Sequence, residues 1–261
     1  MKALAARRHD RRAPVVLLLL ALLLTGALYA VLAPTAADAA PAAPTADQVE
    51  TGEKLFQANC ATCHGPDATG TDAVPSLVGV GAAAVDFQVG TGRMPMQMNG
   101  PQAQAKPAQF DEEQIAALAA YVASLGPGPA VPSEKQVDPA LGDPANGMAL
   151  FRTNCAMCHN AVGAGGALSQ GKFAPNLWET SPTHLYEAMA TGPQNMPVFN
   201  DATLTPDEKR DIIAYLDLQG DEAPGGIGLG SLGPVSEGLW AWVVGMGLLI
   251  GAAVWIGARS S

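Results

Sequence analysis

Cys60-Ala61-Thr62-Cys63-His64 and Cys155-Ala156-Met157-Cys158-His159 are two copies of C-x-x-C-H, and together they use all four cysteines of this 261-residue chain. Two thiols three positions apart are spaced to add to the two vinyl groups on one edge of a haem. The adjacent histidine then falls under the iron as its proximal ligand. A thioredoxin-like redox pair or half of a zinc site also uses C-x-x-C, but neither calls for a histidine directly after each pair. The reading is two covalently bound haem c, attached at Cys60, Cys63, Cys155 and Cys158, with His64 and His159 on the irons. Every thiol is then a thioether, and none is left for a disulfide.

Working outward, the flanks of the two motifs repeat. Gly52-Glu53-Lys54-Leu55-Phe56-Gln57-Ala58-Asn59-Cys60 aligns with Gly147-Met148-Ala149-Leu150-Phe151-Arg152-Thr153-Asn154-Cys155. Downstream, Pro75-Ser76-Leu77 matches Pro175-Asn176-Leu177, Met94-Pro95 matches Met196-Pro197, and Tyr121 matches Tyr215. Each repeat predicts helices joined by long loops, with no competing β pattern. The first helix runs into the motif. The last opens on a capping signal, Asp111 with Gln114 in one copy and Thr205-Pro206-Asp207-Glu208 in the other. Ile115, Leu118, Val122 and Leu125, and likewise Ile212, Ile213 and Leu216, form apolar stripes at helical spacing, with Gly126 and Gly220 as stop signals. Units this small bury little core unaided, so the haem must serve as the central apolar body. Phe56, Phe151, Tyr121 and Tyr215 are expected to pack where the helices cross.

The expected fold class is all-α, two tandem domains that resemble class I cytochromes c, between membrane-directed ends. The expected boundaries are 1–45 for a signal peptide or N-terminal anchor, 46–128 for the first domain and 129–142 for a Pro-rich linker. The second domain follows at 143–222, a Gly-rich hinge at 223–237 and a transmembrane helix at 238–258.

A second axial ligand is expected from each Met-Pro loop: Met94 in Gly90-Thr91-Gly92-Arg93-Met94-Pro95 and Met196 in Gly192-Pro193-Gln194-Asn195-Met196-Pro197. Thioether sulfur suits haem iron and raises its potential relative to a second histidine. Met96 and Met98 stand close enough to Met94 to compete. Pro75 and Pro175 are expected on the proximal side, where the loop offers a carbonyl to the free N–H of each histidine. His184, matched by Ala82 in the first repeat, reads as a surface histidine or a neighbour of a haem propionate.

The ends and the charge agree with export. Lys2, Arg7, Arg8, Arg11 and Arg12 precede an uncharged run from Ala13 to Ala33, and Ala37-Asp38-Ala39 offers a cleavage site. Residues 13–33 suit either a cleaved signal or a retained anchor. Leu239 to Ala258 holds no charge, opens on Trp240 and Trp242 and closes on Trp255 and Arg259, the pattern of a membrane span with its C-terminus in the cytoplasm. Between the ends, residues 40–258 carry 8 Lys/Arg against 22 Asp/Glu. An acidic middle outside and basic ends inside is the expected sign pattern, and it excludes nucleic acid as a partner.

The tandem motifs, Gly-Thr-Gly-Arg-Met-Pro at 90–95, Lys106-Pro107-Ala108-Gln109-Phe110 leading into a closing helix, and the C-terminal membrane helix resemble the dihaem cytochrome c subunit of the actinobacterial cytochrome bc1 complex. The resemblance covers residues 45–258. It implies a plasma-membrane subunit with its haem domains outside the cytoplasm. It also implies cytochrome b and Rieske iron–sulfur subunits as partners, and delivery of electrons to an aa3-type cytochrome c oxidase. From the residues alone the expectation is one-electron relay without substrate turnover in this chain, since both irons receive six ligands. The alternatives are a dihaem carrier serving a periplasmic dehydrogenase or another oxidase, a dihaem peroxidase, which needs one haem face without methionine, and a haem-based sensor.

Overall fold

In the computed structural model, residues 13–32, 43–98, 100–221 and 234–259 are described. The chain divides into two compact units, residues 1–40 and 41–261. The first contains α1 (Ala13–Leu32), an uninterrupted apolar helix whose side chains from Pro14 to Gly26 are exposed. The basic start and Ala37-Asp38-Ala39 lie outside the described residues.

The second unit contains two similar helical halves. The first half is α2 (Ala46–Asn59), the single turn α3 (Ala61–His64), α4 (Ala82–Gly90) and α5 (Glu112–Ser124). The second half opens after α6 (Glu134–Val137) and is α7 (Pro144–Asn154), α8 (Ala156–His159), α9 (Pro182–Thr191) and α10 (Pro206–Asp221). The predicted caps are in place. Asp111 accepts from the Gln114 N–H at 2.9 Å while the Asp111 N–H donates to the Gln114 side chain at 3.1 Å. Thr205 and Glu208 make the same reciprocal pair at the start of α10.

In each half the first helix crosses the last at a glycine. A Cβ on Gly52 would fall into the Ala117 carbonyl, and one on Gly147 into the Asp211 carbonyl. The close approach places Phe56 against Tyr121 with ring centroids 5.2 Å apart, and Phe151 against Tyr215 at 5.5 Å. Both phenylalanines are almost fully buried. Around these crossings Val85, Leu118 and Val122 build one core, and Leu185, Ile212 and Leu216 the other. The packing role expected of the four aromatics is met.

Two local features depart from expectation, and a third adds detail to it. Gly220 does not stop α10, which runs to Asp221; the chain at Gly220 lies against Trp178, and packing outweighs the modest cost of a helical glycine. Gly166–Ala167 (β1) pairs antiparallel with Phe173–Ala174 (β2), a two-residue ladder too short for any period-2 pattern to announce. Within 129–142, the Pro129 carbonyl accepts from Ala83 N–H at 3.1 Å, Val137 is buried in the second core, and Gln136 donates to the Tyr186 hydroxyl at 3.2 Å. The prolines here restrict a stretch that is also tied down at both ends.

The expected Gly-rich hinge falls largely outside the described residues. Beyond it, α11 (Pro234–Arg259) contains a 22-residue stretch, Gly238–Arg259, with mean hydropathy 2.0. At 1.5 Å per residue this stretch is about 33 Å long, enough for the roughly 30 Å hydrocarbon core. Trp240, Trp242 and Trp255 are exposed on it.

Candidate haem-binding sites

Each C-x-x-C-H sequence folds as the end of one helix and a single further turn. Cys60 and Cys155 close α2 and α7 through N–H donation to the Phe56 and Phe151 carbonyls, both at 2.8 Å. The next turn then brings each histidine back beside its cysteines, the His64 and His159 N–H groups donating to the Cys60 and Cys155 carbonyls.

Each imidazole is held by one nitrogen. His64 Nδ1 lies 3.0 Å from the Pro75 carbonyl oxygen, and His159 Nδ1 lies 3.1 Å from that of Pro175. The two prolines themselves supply the carbonyls. This bond places the N–H on Nδ1 and turns the lone pair of Nε2 outward, the arrangement that orients an imidazole toward a metal. Burial pushes the His159 pKa down, against the opposing pull of the Pro175 carbonyl, so the ring is neutral at pH 7 and its lone pair is free.

The thiols argue against a redox pair. Burial, and secondarily Cys158, pushes Cys155 up to about 11, and burial with Cys63 raises Cys60. Reactive C-x-x-C thiols are shifted the other way.

Beside His159 the second half, with a few residues of the first, lines a cavity of about 500 Å³. Cys155, Cys158, His159 and Met196 line it together with apolar side chains such as Leu185 and Ile212. A flat apolar macrocycle with two thioether edges and an iron between nitrogen and sulfur fits this donor set and this lining. Met196 follows Gly192, whose φ of +60° turns the chain out of α9. Its loop is pinned by Met196 N–H to Pro193 O at 3.1 Å and Phe199 N–H to Met189 O at 2.8 Å. Beyond the loop, the buried Lys209 ammonium holds Asp201 at 2.6 Å.

In the first half, Met94 N–H donates to Gln88 O at 2.8 Å and Lys106 Nζ donates to Pro95 O at 3.1 Å. Met94 packs against the first core, whereas Met96 and Met98 are exposed. The geometry separates the three methionines that spacing alone left together.

Comparison with known proteins decides the family. A family model described as cytochrome c oxidase, cbb3-type, subunit III matches residues 47–122 and again 142–216. A cytochrome bc1 complex cytochrome c subunit from Corynebacterium diphtheriae is 46% identical over 280 residues, covering 99% of this chain and 99% of that protein. The subunit of the same name from Mycobacterium bovis is 47% identical over 97% of this chain and 93% of its own length, and that from Mycobacterium leprae 45% over 94% and 87%. The chain belongs to the family of cytochrome bc1 complex cytochrome c subunits. It is a haem electron carrier of that complex, and its cytochrome c domains carry covalently bound haem c.

Several residues of this cytochrome c subunit were not foreseen. Phe87, Thr91, Arg93 and Gln102 of the first half line the cavity of the second. Gln102 and the Phe173 backbone exchange two hydrogen bonds, 2.7 and 3.2 Å, and Gln194 and the Ala103 backbone exchange two more, 3.0 and 2.9 Å. No sequence signal marks these pairs, because each joins residues far apart in the chain at positions that the repeat does not match. Met189, on α9, also lines the cavity and is buried; it lies seven residues before Met196 without a following proline. Of the two places expected for His184, a free surface position does not hold: it is half-buried against Asp86 and Phe87 of the first half, and it lines the second cavity.

Proposed function

We propose that this subunit holds two haem c and relays electrons in series from the quinol-oxidising part of the bc1 complex to an aa3-type cytochrome c oxidase. The observation that carries this reading is the duplicated site: each C-x-x-C-H turn has its histidine fixed by a proline carbonyl, and each half sends a Met-Pro loop toward its core. The attachment residues are Cys60 and Cys63 in one half, Cys155 and Cys158 in the other. The axial ligands are His64 with Met94, and His159 with Met196. When bound, each haem supplies an iron that gains or loses one electron. The chain does the rest: prolines 75 and 175 set the rings, the apolar walls exclude water, and the methionine loops close the open faces. Cytochrome b and Rieske subunits are the partners on the donor side. The apolar α11 anchors the chain in the cell membrane, with both halves on the extracytoplasmic side and Arg259 in the cytoplasm.

Intact-mass measurement of the purified chain should show two haem additions and no titratable thiol. One addition, or a reactive thiol, overturns the assignment of sites. Copurification through a tagged chain should bring down cytochrome b, the Rieske subunit and oxidase subunits together, and absence of the oxidase would remove the acceptor proposed here.

Met196 and Met189 make a sharper test of ligation. Met196→Leu should abolish, for one of the two haems, the weak far-red absorption of an iron–methionine bond in the oxidised protein. Met189→Leu, nearly volume-conserving in the core, should leave that absorption intact and cost less than about 1.5 kcal/mol of stability. The reverse pattern would move the ligand to α9.

A further inference from the structure

Where α4 of the first half meets α9 of the second, Asp86, His184 and Glu187 each bring one ligand atom to within 4.8 Å of the others. Glu187 has no exposed surface, and neither of its carboxylate oxygens accepts a hydrogen bond. A buried carboxylate without a donor is costly, so a positive species has to balance it. Burial first, the neighbouring Asp86 charge second and the close approach of the Asp86 carboxyl third push its pKa up to about 10, so Glu187 holds a proton at pH 7 unless a cation takes its place. Two carboxylates alone would be satisfied by one shared proton. The third donor points elsewhere: His184 Nε2 lies 3.8 Å from Asp86 Oδ2, and its ring is wedged against Gly90 and edge-on to Phe87. Burial lowers the His184 pKa, which keeps the imidazole neutral near pH 7, the state that binds metals.

We propose that Asp86, His184 and Glu187 form a binding site for one divalent transition-metal ion of the zinc class, which clamps the first half of the chain to the second. One nitrogen and two carboxylate oxygens are a donor set that zinc accepts, with a fourth position left for water. The ion neutralises both carboxylates, which a single proton does not. Arg93 is the neighbouring charge that opposes a cation here; its guanidinium stacks 4.8 Å from the centroid of Phe87 and faces the second cavity. None of the three donors is a proposed haem ligand, although His184 also lines the second cavity, so the site adjoins the second electron-carrying centre without sharing its ligands.

The test uses the full-length haem-loaded protein in detergent, stripped with a chelator, dialysed against Zn2+ alone and assayed for metal per chain. One tightly held zinc is expected, and it should raise the melting temperature of the wild type. Glu187→Gln and Asp86→Asn should each weaken zinc binding by at least tenfold to a hundredfold, roughly the loss that follows disruption of a metal site's supporting residues, with the visible haem spectrum unchanged. Asp86 is only half-buried, so its variant remains informative even where Glu187→Gln loses haem. A wild-type protein that retains no zinc would overturn the proposal and leave a shared proton as the counter-charge. Equal zinc retention in Asp86→Asn would overturn it too, by placing the metal elsewhere.

Discussion

Membranes in which His159 is replaced by Ala should consume no more oxygen on quinol than membranes lacking the chain, while the first half stays reducible and accumulates in reduced form. The substitution removes the nitrogen that faces the second cavity and strips the Pro175 carbonyl of its partner at 3.1 Å. Cys155 and Cys158 remain, so attachment can proceed, but the iron of the proposed second haem would lose its nitrogen ligand. Series flow then fails at the second half. The contacts between the halves suit transfer from one half to the other, while the direction comes from the proposed relay. Phe87, Thr91 and Arg93 reach the second cavity, and four hydrogen bonds tie residues 102–103 to Phe173 and Gln194. Electrons can therefore pass without either half swinging away. Unchanged oxygen uptake in His159→Ala would mean that each half has its own route out.

What the sequence disclosed and what it withheld follow from how far apart the interacting residues lie. The attachment turns, the capping boxes and the aromatic pairs were legible because each is encoded within a few residues, or by matching positions in two copies of one pattern. Phe56 with Tyr121 was readable once Phe151 with Tyr215 offered the same spacing. The proline carbonyls were foreseen in kind, since a metal-bound imidazole needs a partner for its other nitrogen. The contact of α4 with α9 was not legible. It joins Asp86 to His184 and Glu187 across about a hundred residues, and Ala82 in the first repeat gave no hint that His184 had a partner. Met94 was readable ahead of Met96 and Met98 from the Met-Pro match to Met196-Pro197, and its packing against the first core, with Met96 and Met98 exposed, agrees with that reading.

Gly147→Ala should unfold the second half well below the melting temperature of the wild type, although it adds one methyl group and improves helix propensity. A Cβ at Gly147 falls into the carbonyl oxygen and carbon of Asp211, and next meets Ile212 N, all of it backbone of α10. A side chain in the way could change rotamer; a helix backbone cannot, so α7 and α10 must move apart. That separation would open the contact between Phe151 and Tyr215, both buried in this core. Overpacking costs about 1–3 kcal/mol, and a clash with backbone that cannot rotate away belongs at the top of that range, about 3 kcal/mol. The gain from replacing a helical glycine is at most about 1 kcal/mol. For a unit of this size each kcal/mol lowers the melting temperature by about 4–8 °C, so a net 2 kcal/mol lowers it by roughly 8–16 °C. Gly52→Ala should do the same to the first half, where the added Cβ meets the Ala117 carbonyl. Gly245→Ala is the control: nothing lies within 4 Å of a Cβ there, and both halves should melt as in the wild type. Melting followed through the haem absorption reads all three. If Gly147→Ala melts within a degree or two of the wild type, the helices cross with more room than the Gly147–Asp211 approach allows, and the glycine is not what sets their distance.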